Sequence, residues 1–332
     1  MNAVFRSIAS YVPERVVTND DLAQVVETSD EWIYSHTGIK RRHIAAEAET
    51  TSVLAVRAAQ AAVERSGLRP EELDLVLLAT ATPDNPGFPA TSCLVAERIG
   101  AVNAGAMDLV AACTGFIYGV ETGARFITGG GARNVLVIAA EKLSGIVDWN
   151  DRSTSVLFGD GAGAAVLSAG EDGRGVLRSV LRAEGSGFDY LHLIPFDRTH
   201  ANLNGASSAS WVSRKSPTSV IEMNGRQVYN FAVRVLDETI LKLLGDEISV
   251  DEVRYVVPHQ ANVRIIEAAA KRLNIPIEKF YVNIDEYGNT SAASIPIALS
   301  EMVAKKLLAP GDIVVTVAFG GGLTYGGNLI RW

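Results

Sequence analysis

Asp108-Leu109-Val110-Ala111-Ala112-Cys113-Thr114-Gly115-Phe116 turns from a strand-like apolar run into a helix-like one, with a thiol at the turn. The same alternation extends outward from it. Upstream, residues 52–66 read as a helix, 73–80 as a strand and 90–99 as a helix. Downstream, the helix from Thr114 to about Thr128 meets three glycines, and residues 134–141 read as a strand. The far end of the chain repeats this order: helix 225–244, strand 253–257, helix 263–273, short strand 280–282, helix 292–307. A Pro310-Gly311 turn and a strand over 312–318 follow. Strands alternating with helices of this length predict an α/β fold of mostly parallel sheets covered by helices. The repeat predicts two similar halves, 1–170 and 171–332, with a site at their junction. Cys113 and Asn289 then fall at equivalent helix starts.

Composition narrows the function classes. The chain has 332 residues, 48% hydrophobic, enough for two ordinary domains or one large domain built from two halves. A net charge of -8 argues against nucleic acid as the main partner. Two cysteines supply no disulfide framework and fit a reducing cytoplasm. Met1-Asn2-Ala3-Val4-Phe5-Arg6 lacks the charged start and apolar core of a signal peptide, and no run of about 18 apolar residues predicts a membrane span.

Each motif has a bland reading beside a chemical one. A free cysteine is usually a small buried hydrophobe. Cys113, however, sits where unpaired N–H groups and a helix dipole favour thiolate. Cys93, inside the predicted helix 90–99 on an apolar face, reads as structural. His259 in Pro258-His259-Gln260-Ala261-Asn262 follows an apolar run, so it belongs at a strand's carboxyl end, where ligands of α/β sheets collect. His36, His43, His192 and His200 have no such setting. Gly288-Asn289-Thr290-Ser291 is turn and cap chemistry by itself, and Asn289 gains meaning only from the set of three. The run from Phe158 to Ala165 looks like a dinucleotide loop, yet it continues as a strand, so it reads as a tight turn into a buried strand. Phe319-Gly320-Gly321-Gly322 offers backbone N–H groups close to a substrate oxygen. Arg264 and Lys271, two turns apart on one helix, share a basic side with Arg272 beside it.

At these residues the chain resembles the β-ketoacyl-acyl-carrier-protein synthase III family of the thiolase superfamily. The likeness runs nearly end to end. It includes Thr28-Ser29-Asp30-Glu31-Trp32-Ile33, Thr37-Gly38-Ile39, Ala112-Cys113-Thr114-Gly115, Phe158-Gly159-Asp160-Gly161-Ala162-Gly163, the His259 and Asn289 segments and Phe319-Gly320-Gly321-Gly322. The resemblance implies a thiolase-like five-layer αβαβα sandwich from a duplicated half. It implies Cys113 as acyl-accepting nucleophile, His259 and Asn289 as the pair that holds the malonyl thioester carbonyl, and the N–H groups of Cys113 and Gly321 as an oxyanion hole. It further implies Trp32 and Arg152 at the coenzyme A adenine, and Phe158, Asn262 and Phe319 in the substrate site. Phe88 is implied as an aromatic lent by the partner subunit of a homodimer, and Arg264, Lys271 and Arg272 as the docking face for an acidic carrier protein. The implied substrates are an acyl-coenzyme A, acetyl foremost, and malonyl-acyl-carrier protein, with no metal or redox cofactor.

Two departures stand out. His36 occupies a place where the family often has Arg beside the coenzyme A mouth, which leaves Lys40, Arg41 or Arg42 to contact phosphate. The stretch 195–219 is long, rich in Ser, Asn and Thr, and expected to be a loop. Three other readings compete: a type III-like ketosynthase or acyltransferase of polyketide metabolism, a papain-like protease and a non-catalytic binding protein. The protease shares the order Cys, His, Asn, but the strand–helix alternation opposes it. The intact Cys113, His259 and Asn289 set opposes the binding protein.

Overall fold

The computed structural model describes residues 1–195, 211 and 218–332. Most of the expected loop 195–219 lies outside the described residues. In chain order the strands are β1 (Asn2–Tyr11), β2 (Val16–Thr18), β3 (Arg41–His43), β4 (Leu75–Ala79), β5 (Gly105–Leu109), β6 (Asn134–Glu141), β7 (Gly161–Gly170), β8 (Gly175–Ala183), β9 (Leu191–Pro195), β10 (Ser219–Met223), β11 (Val253–Pro258), β12 (Ile313–Gly320) and β13 (Thr324–Arg331). The helices are α1 (Asn19–Ala23), α2 (Asp30–Thr37), α3 (Thr51–Ser66), α4 (Thr91–Ile99), α5 (Gly115–Thr128), α6 (Arg152–Ser155), α7 (Gly225–Leu244), α8 (Val263–Leu273), α9 (Ile284–Tyr287) and α10 (Ser294–Ala304).

Two mixed sheets carry the fold. The first has the order β1-β7-β6-β4-β5, and the second β8-β13-β12-β11. Their pairings match position for position: antiparallel β1–β7 and β6–β7 with parallel β4–β6, against antiparallel β8–β13 and β12–β13 with parallel β11–β12. Strands buried on both faces read as continuous apolar runs, and their period of two divides the side chains between faces. Val76, Leu78, Leu136 and Ile138 pack outward with α3, whereas Leu77, Val135 and Val137 pack inward with α5. In the second sheet Val314 and Ala318 join the inner core, and Val315, Val317 and Phe319 pack outward with α7 and α8. The layers are therefore α3 and α4, the first sheet, α5 and α10, the second sheet, α7 and α8. That is the expected αβαβα sandwich.

The helices follow from their spacing. In α3, Leu54, Ala55, Ala58, Ala59 and Ala62 are buried at helical intervals, and the helix stops at left-handed Gly67. Removing each larger aliphatic side chain of these cores from water contributes about 1.5–3 kcal/mol. Close packing of α10 on β7 requires Gly163, where a Cβ would lie 2.6 Å from Pro296 Cβ. The run from Phe158 continues into β7, as expected of a tight turn and buried strand.

Three expectations need correction. The sheets are not mostly parallel: four of their strand pairings are antiparallel and three parallel, β12 for instance turning straight back into β13. Residues 280–282 form no strand; Phe280 makes one parallel bridge to Val256. Here the Gln260 side chain replaces a ladder: its Nε2 donates to Tyr281 O (3.1 Å) and its Oε1 accepts from Asn283 N (3.1 Å). The helix starts also align differently. Ala112 and Ser291, with positive φ of 43° and 50°, each open a 3-10 turn ahead of α5 and α10. Cys113 is thus the counterpart of Ala292, and Asn289 lies two residues before the equivalent turn. No helix among the described residues is long and apolar enough to cross a membrane.

Candidate active site

Cys113 lies inside the 3-10 turn, buried between the halves. Gly320 at the end of β12 presses on it: a Cβ there would lie 2.8 Å from Cys113 N and 2.9 Å from its Cβ. Gly320 therefore makes the closest approach. Gly321, one residue on, lies beside Ala112 and Leu191. Burial pushes the Cys113 thiol up to about 12; the Ser291 hydroxyl opposes that rise and the Glu141 charge adds to it. Burial thus favours the thiol, against the pull toward thiolate that the sequence suggested. Desolvation outweighs the helix end here.

Cys113 lines two cavities. The smaller, about 130 Å³, is shared with His259, Asn289, Phe158, Phe319, Asn262 and Gly320. The larger, about 470 Å³, is mostly apolar and bordered by Val110, Leu143, Ile146, Leu191, Ile221 and Gly321.

His259 follows β11, which carries it to the strand's carboxyl end; its N–H donates to Val317 O (2.8 Å). Burial brings the imidazole down to about 3, so it is neutral. Nδ1 lies 2.7 Å from Ser294 Oγ, which also accepts from Gln260 N (3.4 Å). The Ser294 hydroxyl can give its own proton to Nδ1. That tautomer puts the imidazole proton on Nε2, the nitrogen left for the cavity. Asn289 is fixed by its backbone between Leu157 O (2.9 Å) and Gly159 N (3.0 Å). Its Oδ1 accepts from Ser291 N (2.9 Å), which leaves Nδ2 for the cavity. Two neutral N–H donors, one imidazole and one amide, thus border the cavity that Cys113 also borders.

Sequence reasoning missed three polar neighbours. Ser294 sets the His259 proton. Ser291 holds Asn289, and its hydroxyl donates to Glu141 Oε1 (3.2 Å). Glu141, at the end of β6, is fully buried. The motif Gly288-Asn289-Thr290-Ser291 contained one of the three, but its partner lies 150 residues away.

Farther out, the Arg152 guanidinium lies over the Trp32 ring at 4.7 Å, and His36 stacks on Trp32 at 4.5 Å. Arg42 cannot reach a phosphate: it is fully buried, bonded to Val17 O, Asn19 Oδ1 and Val156 O, with burial bringing it down to about 9. Arg41 pairs with Glu286, and Lys40 lies over Tyr34. Asn262 lines the smaller cavity and caps α8, accepting from Arg264 N and donating to His36 O. Arg264 and Lys271 are exposed on α8, with Arg264 Nη2 bound to Ser35 O (2.6 Å). Arg272 is tied to Asp237 on α7. Phe88 is 85% exposed and lines neither cavity. Cys93 lies on the exposed face of α4, not on an apolar one as expected, since the buried stripe is Thr91, Ser92, Val95, Ala96 and Ile99. Among the described residues no group of three or more His, Cys, Asp or Glu side chains could hold a metal.

Comparison with known proteins agrees with this geometry. The family model "3-oxoacyl-[acyl-carrier-protein (ACP)] synthase III" matches residues 107–185, and its C-terminal counterpart matches 245–332. The chain is 47% identical over 333 residues to a β-ketoacyl-[acyl-carrier-protein] synthase III 1 of Bacillus cereus, covering 100% of this chain and 99% of that one. It is 52% identical over 324 residues to the synthase III of Desulfitobacterium hafniense, covering 97% and 96%. The chain belongs to the β-ketoacyl-[acyl-carrier-protein] synthase III family. A crystal structure of the Aquifex aeolicus synthase III superposes with a TM-score of 0.89 at 47% identity, covering 99% of this chain and all of that one. The priming β-ketosynthase of the R1128 polyketide pathway has the same fold, with a TM-score of 0.87 at 33% identity over 99% and 96%. As a β-ketoacyl-[acyl-carrier-protein] synthase III, the chain is a condensing acyltransferase of fatty acid biosynthesis, and neither the protease nor the non-catalytic reading is sustained.

Proposed function

We propose that the protein condenses an acyl-coenzyme A primer, acetyl foremost, with malonyl-acyl-carrier protein by a ping-pong route. One observation carries the reading: Cys113 borders both an apolar cavity and a cavity that also presents the free nitrogens of His259 and Asn289. The Cys113 sulfur attacks the primer thioester carbonyl and displaces coenzyme A, which splits one hard step into two. The apolar cavity receives the acyl chain. Malonyl-carrier protein then enters and loses CO2. The enolate oxygen accepts from His259 Nε2–H and Asn289 Nδ2–H, donors already in place. The enolate carbon attacks the acyl-Cys113 carbonyl, whose oxygen is met by the N–H groups of Cys113 and Gly321. The thiolate leaves, and β-ketoacyl-carrier protein is released. Protein groups and thioester substrates supply all of this chemistry.

Trp32 and Arg152 are assigned to flank the coenzyme A adenine, which requires the guanidinium to swing off the indole it covers at 4.7 Å, and Phe158, Phe319 and Asn262 are assigned to the substrate entrance. Arg264 and Lys271 serve the carrier protein from α8, with Arg272 a weaker member because of its tie to Asp237. Exposed Phe88 fits a homodimer in which it completes the partner's acyl cavity. The cytoplasm is the compartment that keeps such a thiol reduced. Incubation with a panel of acyl-coenzyme A species, read by intact mass, tests the reading. An adduct on the native chain and none on Cys113→Ser is expected. An adduct that persists on Cys113→Ser overturns the nucleophile assignment.

A further inference from the structure

The Cys113 sulfur needs a proton acceptor, because burial keeps it a thiol. His259 is a poor one: burial lowers its basicity to about 3, and its Nδ1 is engaged by Ser294. The other candidate is Glu141, which lies behind Ser291 and accepts from its hydroxyl. Its carboxylate is fully buried and surrounded by donors. Ala81 N reaches both oxygens (3.0 and 3.2 Å), Thr82 Oγ1 lies at 2.9 Å, Thr80 Oγ1 at 3.2 Å and Ser291 Oγ at 3.2 Å. Ser291 and Cys113 border the same larger cavity, and the short turns that carry them pack together. A hydroxyl bonded to the carboxylate therefore lies beside the sulfur.

We propose that Ser291 and Glu141 form a relay that takes the Cys113 proton during acyl transfer. This rests on the acyl-enzyme reading above. As sulfur bonds to the thioester carbonyl carbon, the S–H proton passes to Ser291 Oγ and the Ser291 proton passes to Glu141 Oε1. Collapse of the tetrahedral adduct breaks the bond to the coenzyme A sulfur. That thiolate recovers a proton along the same path and leaves as free thiol, restoring the Glu141 carboxylate. Ser291 is the member on the sulfur's side; Glu141 acts through it and is a positioning residue.

The surroundings suit the role. Burial raises Glu141 to about 7 against the pull of its four donor groups, so it can hold or release a proton near neutrality. The titratable group facing it across Ser291 is Cys113. Lys142, next in the chain, spends its Nζ on the carbonyls of Ala46, Glu47 and Glu49, and Asp160 is held by Ala45 and Ser144. The Ser291 N–H separately holds Asn289, so Ser291→Ala removes the relay and spares that contact.

The test is single-turnover acetylation by acetyl-coenzyme A, read by mass across pH 5.5 to 9. In the native chain the rate rises as Glu141 ionises through about pH 7, then levels. In Glu141→Gln and Ser291→Ala it falls by about 10²-fold or more at neutral pH, and the levelling gives way to a continuous rise. A Glu141 that acts by its charge alone predicts the opposite sign. Its loss would ease thiolate formation, and acetylation by Glu141→Gln would quicken. That result, or an unchanged profile in both variants, overturns the relay. Ser291→Ala keeps the buried carboxylate and decides the matter should Glu141→Gln fold poorly. A native chain that takes up no acetyl group overturns the acyl-enzyme reading itself.

Discussion

At the scale of single residues, the candidate site depends on where protons sit. His259 can stabilise an enolate only with its proton on Nε2, the tautomer in which Nδ1 accepts from Ser294 Oγ, 2.7 Å away. His259→Ala should therefore leave acylation of Cys113 within a few-fold and cut CO2 release from malonyl-carrier protein by about 10²-fold or more, the scale for losing one oxyanion donor. Measuring the two half-reactions separately checks this, and an equal loss in both would make His259 a base for Cys113 instead. Cys113, His259 and Asn289 were legible in the sequence because each is a chemically marked residue at an element boundary. Ser291, Ser294 and Glu141 were not. Serine and glutamate are common types, and their meaning lies in contacts between segments far apart in the chain. The opposing pull of burial on Cys113 was illegible for a related reason: a motif shows a helix start, but not the burial around it.

At the scale of elements, the two sheets and their helices were largely readable, because buried strands are apolar runs and the helices carry apolar stripes. Residues 280–282 were misread because nothing local says that the Gln260 amide will satisfy their backbone. The contact between β7 and α10 is where the two halves lock, and it gives a clean test. Gly163→Ala would place a methyl group 2.6 Å from Pro296 Cβ, so α10 or β7 must shift. The expected cost is about 1–3 kcal/mol, as for other overpacked cores. Thermal or urea unfolding should show a lower midpoint, and an unchanged midpoint would mean that α10 moves at no cost. Because α10 begins with Ser294, a shift there should also slow decarboxylation.

At the scale of the whole molecule, two buried groups pull stability in opposite directions with pH. Folded Glu141 titrates near 7 against an ordinary 4.5, so it holds a proton that the unfolded chain has lost between those values, and its contribution falls as pH rises through that window. Folded His259 titrates near 3 against an ordinary 6.5, so its contribution falls as pH drops from 6.5 toward 3. Below about 4.5 His259 acts without opposition from Glu141. His259→Gln should therefore flatten the acid side of a plot of unfolding midpoint against pH, and Glu141→Gln should make the midpoint rise more steeply with pH between about 4.5 and 6.5, where the two groups offset each other in the native chain. Profiles parallel to the native one would contradict both assignments.

Charge supplies the last test at this scale. The chain carries a net charge of -8, so its long-range field repels an acidic partner, and any attraction must be local. Helix α8 is the local source. It starts at Asn262 beside the smaller cavity and shows Arg264 and Lys271 two turns apart on one side. The two are not equivalent. Arg264 also binds Ser35 O and helps fasten α8 to α2, so replacing it disturbs structure as well as charge. Lys271 is the cleaner probe. Lys271→Glu should leave acetylation by acetyl-coenzyme A unchanged and raise the apparent KM for malonyl-carrier protein several-fold at low ionic strength. Each surface charge contributes modestly, and the effect should shrink as salt shortens the Debye length from about 30 Å at 0.01 M to about 8 Å at 0.15 M. Steady-state kinetics at the two ionic strengths separates the outcomes. A KM that rises equally at both would point to a short-range contact at Lys271, whereas an unchanged KM at low salt would remove α8 from the docking surface.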